Sequence, residues 1–172
     1  MRMNIFLIGF MGSGKTTAGK KLANMLSYGY LDLDEFIEQQ ERYSIRDIFE
    51  KKGEAYFRKQ ESKYLREISI HDKSVISTGG GAPCFYDNMD YMNNKGLTVY
   101  LKMKPEQLVT RLKSGREERP LIKDKDDREL LQFITDKLNE RESYYQKAKL
   151  IVDGFDLNVS NLLKNIHAFM EQ

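Results

Sequence analysis

Short apolar runs alternate along the chain with longer stretches whose apolar residues recur at helical spacing. The runs "NIFLIGF" (4–10), "YLDL" (30–33), "SVISTG" (74–79), "LTVYLKM" (97–103) and "KLIVD" (149–153) predict β-strands. Most are nearly continuous in apolar character, the pattern of parallel strands covered on both faces. Between them, Ala18, Leu22, Met25 and Leu26 define the face of one predicted helix, and Phe57, Tyr64, Leu65 and Ile68 that of another. Pro105 stands at a helix start, where its missing N–H does no harm, and Leu108 and Leu112 follow it. Asn158 is a candidate cap for a last helix whose face is Leu162, Leu163, Ile166 and Phe169. Strand and helix alternating in this way predict an α/β fold of three layers, α/β/α, around a five-stranded parallel sheet. Ligands of such sheets bind at the carboxyl ends of the strands, in the loops that follow.

Two segments break the rhythm. Residues 34–70 hold a helical excursion too long for a simple crossover, and residues 113–126, "KSGREERPLIKDKD", are mostly charged and carry neither period. Both are expected at one end of the sheet, where function concentrates. At 172 residues the chain is expected to form one domain spanning 1–172, and 40% hydrophobic with 31% charged residues is a globular composition. A net charge of +2 gives no ground for general polyanion binding, so no nucleic-acid partner is expected. The lone cysteine, Cys84, rules out an internal disulfide and suits a reducing cytosol. The opening "MNIFLIGFMG" runs into a Gly-Lys-Thr loop instead of a small-residue cleavage site, and no other apolar run approaches the roughly 20 residues of a membrane span. The expectation is a soluble, cytoplasmic monomer without a membrane partner.

The first strand leads into Gly9-Phe10-Met11-Gly12-Ser13-Gly14-Lys15-Thr16, which matches G-x-x-x-x-G-K-[ST]. The glycines let successive N–H groups turn inward around phosphate oxygens, and the helix that begins near Lys15 adds its positive end. Lys15 is placed for the β- and γ-phosphates and the Thr16 hydroxyl for Mg²⁺, with Gly12, Ser13, Gly14 and Thr17 completing the nucleotide loop. A strand before and a helix after set this loop apart from a chance glycine turn. No [NT]-K-x-D guanine-reading motif occurs late in the chain, so ATP is expected over GTP.

Four further features carry candidate chemistry. Asp32 and Asp34 are two apart on what reads as an extended strand end, so one could sit near the Mg²⁺ shell and the other accept a proton from an attacking hydroxyl. Helix capping is the competing use of such a pair. Arg58 and Glu61 are three apart on one helix, either a surface ion pair or an anion-binding arginine oriented by a carboxylate. Thr78-Gly79-Gly80-Gly81 ends the third strand with more glycine than a turn needs, which predicts close approach of backbone N–H groups to a ligand. The charged segment contains Arg116 and Arg119, the latter in "RPLI", and fits either a solvated loop or a lid bringing an arginine to the phosphates. Arg141, in "NERESYY", reads from spacing alone as a surface residue.

Taken in order, "GFMGSGKTTAGKKLA", "DLDEFIEQ", "SIRDIFEKKGEAYFRKQE", "VISTGGGA", "RPLI" and Arg141 to Tyr145 resemble the shikimate kinase family, within the nucleoside-monophosphate-kinase-like P-loop group. The resemblance runs nearly the whole chain, and D-x-D, F-R-x-x-E and the triple glycine together are far more specific than the phosphate loop alone. It implies a P-loop kinase with a substrate-binding helical segment near 34–61 and a mobile lid near 113–126. The implied reaction is ATP- and Mg²⁺-dependent phosphorylation of the 3-hydroxyl of shikimate, on the route to chorismate and aromatic amino acids. It further implies that Asp34 contacts substrate hydroxyls and is the base, with Lys15 and Arg119 also catalytic. Arg58 and Arg141 would hold the carboxylate, Gly80 and Gly81 would offer backbone contacts, and Asp32 with Thr16 would serve the metal. The match to Arg111 would stack on adenine. A small anionic polyol needs arginines for its carboxylate and an acid for its reactive hydroxyl, which agrees with this set.

Two departures from the family pattern stand out. After Arg141 the family usually shows R-x-P-L-Y, whereas this chain reads Arg141-Glu142-Ser143-Tyr144-Tyr145, and the stretch between Arg111 and Arg119 is one residue longer than in many relatives. The alternatives are a P-loop kinase of another small acceptor, gluconate-like or nucleotide, and a catalytically silent nucleotide-binding regulator. His71, His167 and Cys84 are expected to be bystanders, so no histidine metal site is predicted.

Overall fold

β1 (Asn4–Ile8) is buried along its whole length because it is the central strand, with parallel partners on both sides. The computed structural model describes residues 3–70, 72–113 and 125–171. After β1 the chain forms α1 (Lys15–Leu26), β2 (Gly29–Asp32), α2 (Leu33–Glu41), α3 (Ile45–Ile68) and β3 (Ser74–Ser77). A short 3-10 turn at Ala82–Cys84 leads to α4 (Asn88–Lys95), β4 (Gly96–Lys102), α5 (Pro105–Lys113), α6 (Asp127–Tyr145), β5 (Leu150–Asp153) and α7 (Val159–Met170). The five strands are all parallel, in the order β2-β3-β1-β4-β5. The α/β/α prediction therefore holds. Among the described residues no helix is long and apolar enough to cross a membrane.

Alternation along β1 divides the core. Phe6 and Ile8 point to one face and pack with Leu33, Ile37, Leu65, Leu108, Leu130 and Ile134 from α2, α3, α5 and α6. Ile5 and Leu7 point to the other and pack with Leu22, Leu162 and Ile166 from α1 and α7. The three inner strands are almost wholly buried, whereas β2 and β5 at the edges are half exposed.

Local rules set most of the helix ends. Asn158 caps α7 by accepting from Ser160 N–H (2.9 Å) and Asn161 N–H (3.1 Å), and Pro105 opens α5, both as the sequence predicts. One predicted face needs correction: α1 buries Ala18, Gly19, Leu22 and Ala23, while Met25 is 45% exposed. The cause is Gly19, where a Cβ would lie 2.6 Å from Cε2 of Tyr30, so the helix rolls its glycine onto the sheet and turns Met25 outward.

The excursion after β2 is a helical hairpin. Ser44 caps α3 by accepting from Asp47 N–H at 3.1 Å. Gly53, at φ 80° and ψ 167°, kinks that helix, and a Cβ there would meet nothing within 4 Å, so the glycine serves the backbone angle and not space. The Glu41 carboxylate, at the end of α2, accepts from Lys52 (2.8 Å), Tyr56 (2.8 Å) and Tyr64 (2.9 Å) and so ties α2 to both halves of α3.

Candidate functional site

The sheet order brings three loops together. β1 and β3 are neighbours, with Leu7 level with Ser77, and β2 lies beside β3 with Asp32 level with the same Ser77. The loops leaving these strands carry the glycine-lysine motif, the aspartate pair and the triple glycine. They surround a cavity of about 510 Å³ lined by Lys15, Thr16, Asp32, Asp34, Thr78 and Gly80, among others. This is the strand-end position the parallel sheet predicts.

The phosphate loop turns at glycines in the left-handed region, Gly9 at φ 143°, Gly12 at 82° and Gly14 at 92°. Gly9 also ends β1 two residues before the predicted boundary, and a Cβ there would press to 2.9 Å from the Leu101 carbonyl. Gly14 opens α1 without a capping side chain and no acid sits in the first turn. The first N–H groups and the positive helix end are thus offered to an anion. The Lys15 amine donates to the carbonyls of Gly9 (2.8 Å) and Phe10 (2.9 Å), folded over the loop it belongs to.

Asp32 and Asp34 have divided their work, and one expectation is corrected. The strand ends at Asp32, and Asp34 lies in the first turn of α2 instead of on an extended strand. The reason is capping: Oδ1 of Asp32 accepts from the N–H groups of Asp34 (3.1 Å) and Glu35 (3.4 Å) and starts the helix there. The other oxygen, Oδ2, accepts from the Thr16 hydroxyl at 3.3 Å and from the Tyr30 hydroxyl at 3.2 Å. A Thr16 hydroxyl that gives its proton to Asp32 keeps its lone pairs for a cation, so the donor set fits Mg²⁺ shared with phosphates and water. Asp34 is half-buried at the cavity, and its carboxyl is pushed up to about 6, by burial first and then by the charge of Asp32, against the pull of Lys15 and Arg58.

Arg58 and Glu61 form no surface pair. Arg58 is 9% exposed and Glu61 fully buried, and Nη1 meets Oε2 at 2.8 Å. Glu54 adds a contact at 3.3 Å, and the guanidinium lies 4.2 Å from the Phe85 ring centre and 5.0 Å from that of Phe57. Burial pushes Glu61 up to about 7 despite the Arg58 charge, and its Oε1 has no hydrogen-bond partner among the described residues. Arg141 is half-buried, not a surface residue as its spacing suggests, with its guanidinium 5.4 Å from the Phe10 ring centre.

The triple glycine explains itself by what a side chain would strike. A Cβ on Gly79 would lie 2.9 Å from Asp34 Oδ1 and 3.1 Å from Glu61 Oε1. On Gly80 it would lie 3.2 Å from Arg141 Nη1 and 3.4 Å from the Gly9 carbonyl, and on Gly81 2.7 Å from both terminal nitrogens of Arg58. Each glycine thus makes room for one of the charged candidates. Composition predicted a ligand approach here; the accommodation of Asp34, Arg58 and Arg141 depends on contacts across the chain that no local pattern carries.

Arg116 and Arg119 lie outside the described residues, as does most of the 113–126 segment, and so does His71. Arg111 donates from Nη1 to the Ser13 carbonyl at 3.2 Å and from Nη2 to the Gly154 carbonyl at 3.0 Å, and also to that of Phe155. It borders a second cavity of about 260 Å³, with Thr17, Gly154, Leu157 and Val159, that continues from the phosphate loop. His167 is exposed, and the Cys84 thiol is pushed up to about 11 by burial, which keeps it protonated. Sequence reasoning missed Tyr30 and Tyr145, the second of which donates from its hydroxyl to the Gly80 carbonyl at 2.5 Å.

Comparison with known proteins identifies the family. A family model described as shikimate kinase matches residues 11–171. A shikimate kinase of Phocaeicola vulgatus is 47% identical over 153 residues, 89% of this chain and 87% of that one. The crystal structure of shikimate kinase from Bacteroides thetaiotaomicron superposes with a TM-score of 0.93 at 39% identity, covering 100% of both chains. A shikimate kinase from Acinetobacter baumannii in complex with shikimate gives a TM-score of 0.86 at 32% identity, covering 98% of this chain and 92% of that one.

Proposed function

Because the chain belongs to the shikimate kinase family, we propose that it transfers the γ-phosphoryl group of ATP to the 3-hydroxyl of shikimate, giving shikimate 3-phosphate and ADP. The observation that carries this reading is the meeting of Asp34, Arg58 and Arg141 on Gly79 to Gly81, directly beside the phosphate loop. An acceptor with a carboxylate at one end and hydroxyls at the other fits that set of charges.

In this reading the N–H groups from Gly12 to Thr17 and the Lys15 amine hold the triphosphate. Lys15 leaves the carbonyls of Gly9 and Phe10, its partners here, for the β- and γ-phosphate oxygens. Thr16 and Asp32 would hold Mg²⁺, which supplies charge neutralisation between the phosphates when bound. Arg58, fixed by Glu61, and Arg141 grip the carboxylate, and the backbone of Gly80 and Gly81 closes against it. This anchoring presents the 3-hydroxyl to Asp34. As its oxygen attacks the γ-phosphorus, the hydroxyl proton passes to the Asp34 carboxylate and the bond to the ADP oxygen breaks. Arg111 borders the side where the adenine would lie, and Arg119, outside the described residues, would add positive charge at the transferring phosphoryl.

The test is ADP release by the purified protein with Mg²⁺–ATP, in parallel with shikimate, gluconate, AMP or no acceptor. Stimulation by shikimate alone is the expected result. Stimulation by another acceptor would keep the phosphate loop and discard the roles of Arg58 and Arg141. ATP binding without turnover on any acceptor would favour a silent regulator.

A further inference from the structure

One buried hydroxyl supports the glycine run from behind. Tyr145, the last residue of α6, is 0% exposed, and its donation to the Gly80 carbonyl at 2.5 Å joins positions 65 residues apart. Its ring is tilted 40° against that of Tyr100 with centres 4.9 Å apart. Tyr100 in turn donates to Glu142 at 2.8 Å, and the other oxygen of Glu142 pairs with Lys102 at 2.9 Å. The support for the Tyr145 ring therefore comes from β4 and from its own helix. Arg141, one helical turn earlier, has its Nη1 3.2 Å from where a Cβ on Gly80 would lie.

We propose that Tyr145 is a positioning residue for the substrate carboxylate, holding the Gly80–Gly81 peptide, beside Arg141, in the orientation that receives it. The inference rests on the function proposed above. In a planar trans peptide the carbonyl and the following N–H point in opposite directions. A Gly80 carbonyl held toward Tyr145 therefore aims the Gly81 N–H away from Tyr145. Three glycines in a row offer little resistance to rotation of that unit. Turned over, it would point a partially negative oxygen toward an arriving carboxylate and would oppose the two arginines. The tyrosine hydroxyl prevents the turn by giving the carbonyl a buried partner that it would lose. Burial also raises the titration of this hydroxyl above the ordinary phenol range, so it remains a donor at any working pH.

Tyr145→Phe keeps the ring and its contact with Tyr100 and removes only the hydroxyl. The expected result is a KM for shikimate raised about 5- to 30-fold, the kinetic equivalent of one buried hydrogen bond, with the KM for ATP within about twofold of wild type. The thermal midpoint should fall by no more than the few degrees that one lost buried hydrogen bond implies. Unchanged KM for shikimate would overturn the proposal. So would a parallel rise in both KM values with a lowered melting temperature, which is what a purely structural tyrosine would give. A wild-type protein that shikimate does not stimulate would remove the function first and this inference with it, so the two failures are distinct.

Discussion

Asp34 meets opposite demands from catalysis and from stability. As a base it must be ionised, so the rate should rise from acid pH with a midpoint near 6 and level off above it, measured as kcat/KM, which reports the groups of the free enzyme. Stability runs the other way. A carboxyl whose folded pKa is raised from 3.8 to about 6 contributes fully below its unfolded value and loses that contribution as pH rises through about 6. The loss amounts to roughly 2 kcal/mol for a half-buried group. Thermal unfolding between pH 4 and 7 should therefore show the wild type losing more stability than Asp34→Asn, whose amide does not titrate. Equal slopes would show that Asp34 ionises in the folded protein as it does in the unfolded chain. The same variant should bind nucleotide normally and turn over at least about 100-fold more slowly, the scale of a lost general base. Turnover at the wild-type rate would remove Asp34 from that role.

Elements meet at glycines, and those contacts predict substitutions whose effects propensity alone gets wrong. Gly19→Ala improves the intrinsic helix propensity of α1 by about 1 kcal/mol, yet the new methyl would lie 2.6 Å from the Tyr30 ring and 3.0 Å from Ser77 Oγ. Overpacking of about 1–3 kcal/mol should win, and thermal denaturation should show a lower midpoint. A raised midpoint would mean that α1 can lift from the sheet at no cost. Gly81→Ala would press on the guanidinium of Arg58, at 2.7 Å from both terminal nitrogens. That guanidinium is held by buried Glu61 at 2.8 Å, so displacing it should lower the thermal midpoint as well as shikimate affinity, the latter about tenfold or more, while ATP affinity holds, the mark of a lost charge-assisted contact. Calorimetric titration with each ligand separates the two. The strands, the phosphate loop, Pro105 and Asn158 were legible because their signals are local spacings. The outward turn of Met25 and the partners of the triple glycine were not, because both depend on residues brought together only by the sheet. Asp34 was placed on the wrong element because a capping aspartate and a strand-end aspartate look alike until the helix start is seen.

Across the molecule, the site draws on loops that leave strands β1, β2 and β3, and the core is split over both faces of the sheet. A ligand there holds most of the fold at once. Mg²⁺–ADP at about 100 times its dissociation constant should stabilise the protein by roughly 2.7 kcal/mol, or about 5–10 °C at this size. Asp34→Asn should show the same gain, whereas a Lys15→Ala variant should lose most of it; an undiminished gain without Lys15 would place the nucleotide elsewhere. The family was legible from the order of its motifs, whereas the burial of Arg58 and Arg141 needed the fold, since i+3 and i+4 spacing on a helix does not say which side faces the core.

The strand order also sets a timetable. The phosphate loop is synthesised before the strands that flank β1, which has no neighbour until β3 at Ser74–Ser77 and β4 at Gly96–Lys102 exist. Pairings of this sequence separation form late, after their loop-closure entropy is met. On a ribosome that releases the N-terminus first, the glycine-lysine loop must wait, unshaped, until the chain through β4 has emerged. Stalled nascent chains of increasing length should therefore acquire nucleotide binding only once β4 has cleared the exit, and binding by a shorter chain would show that the loop needs no sheet to hold its form.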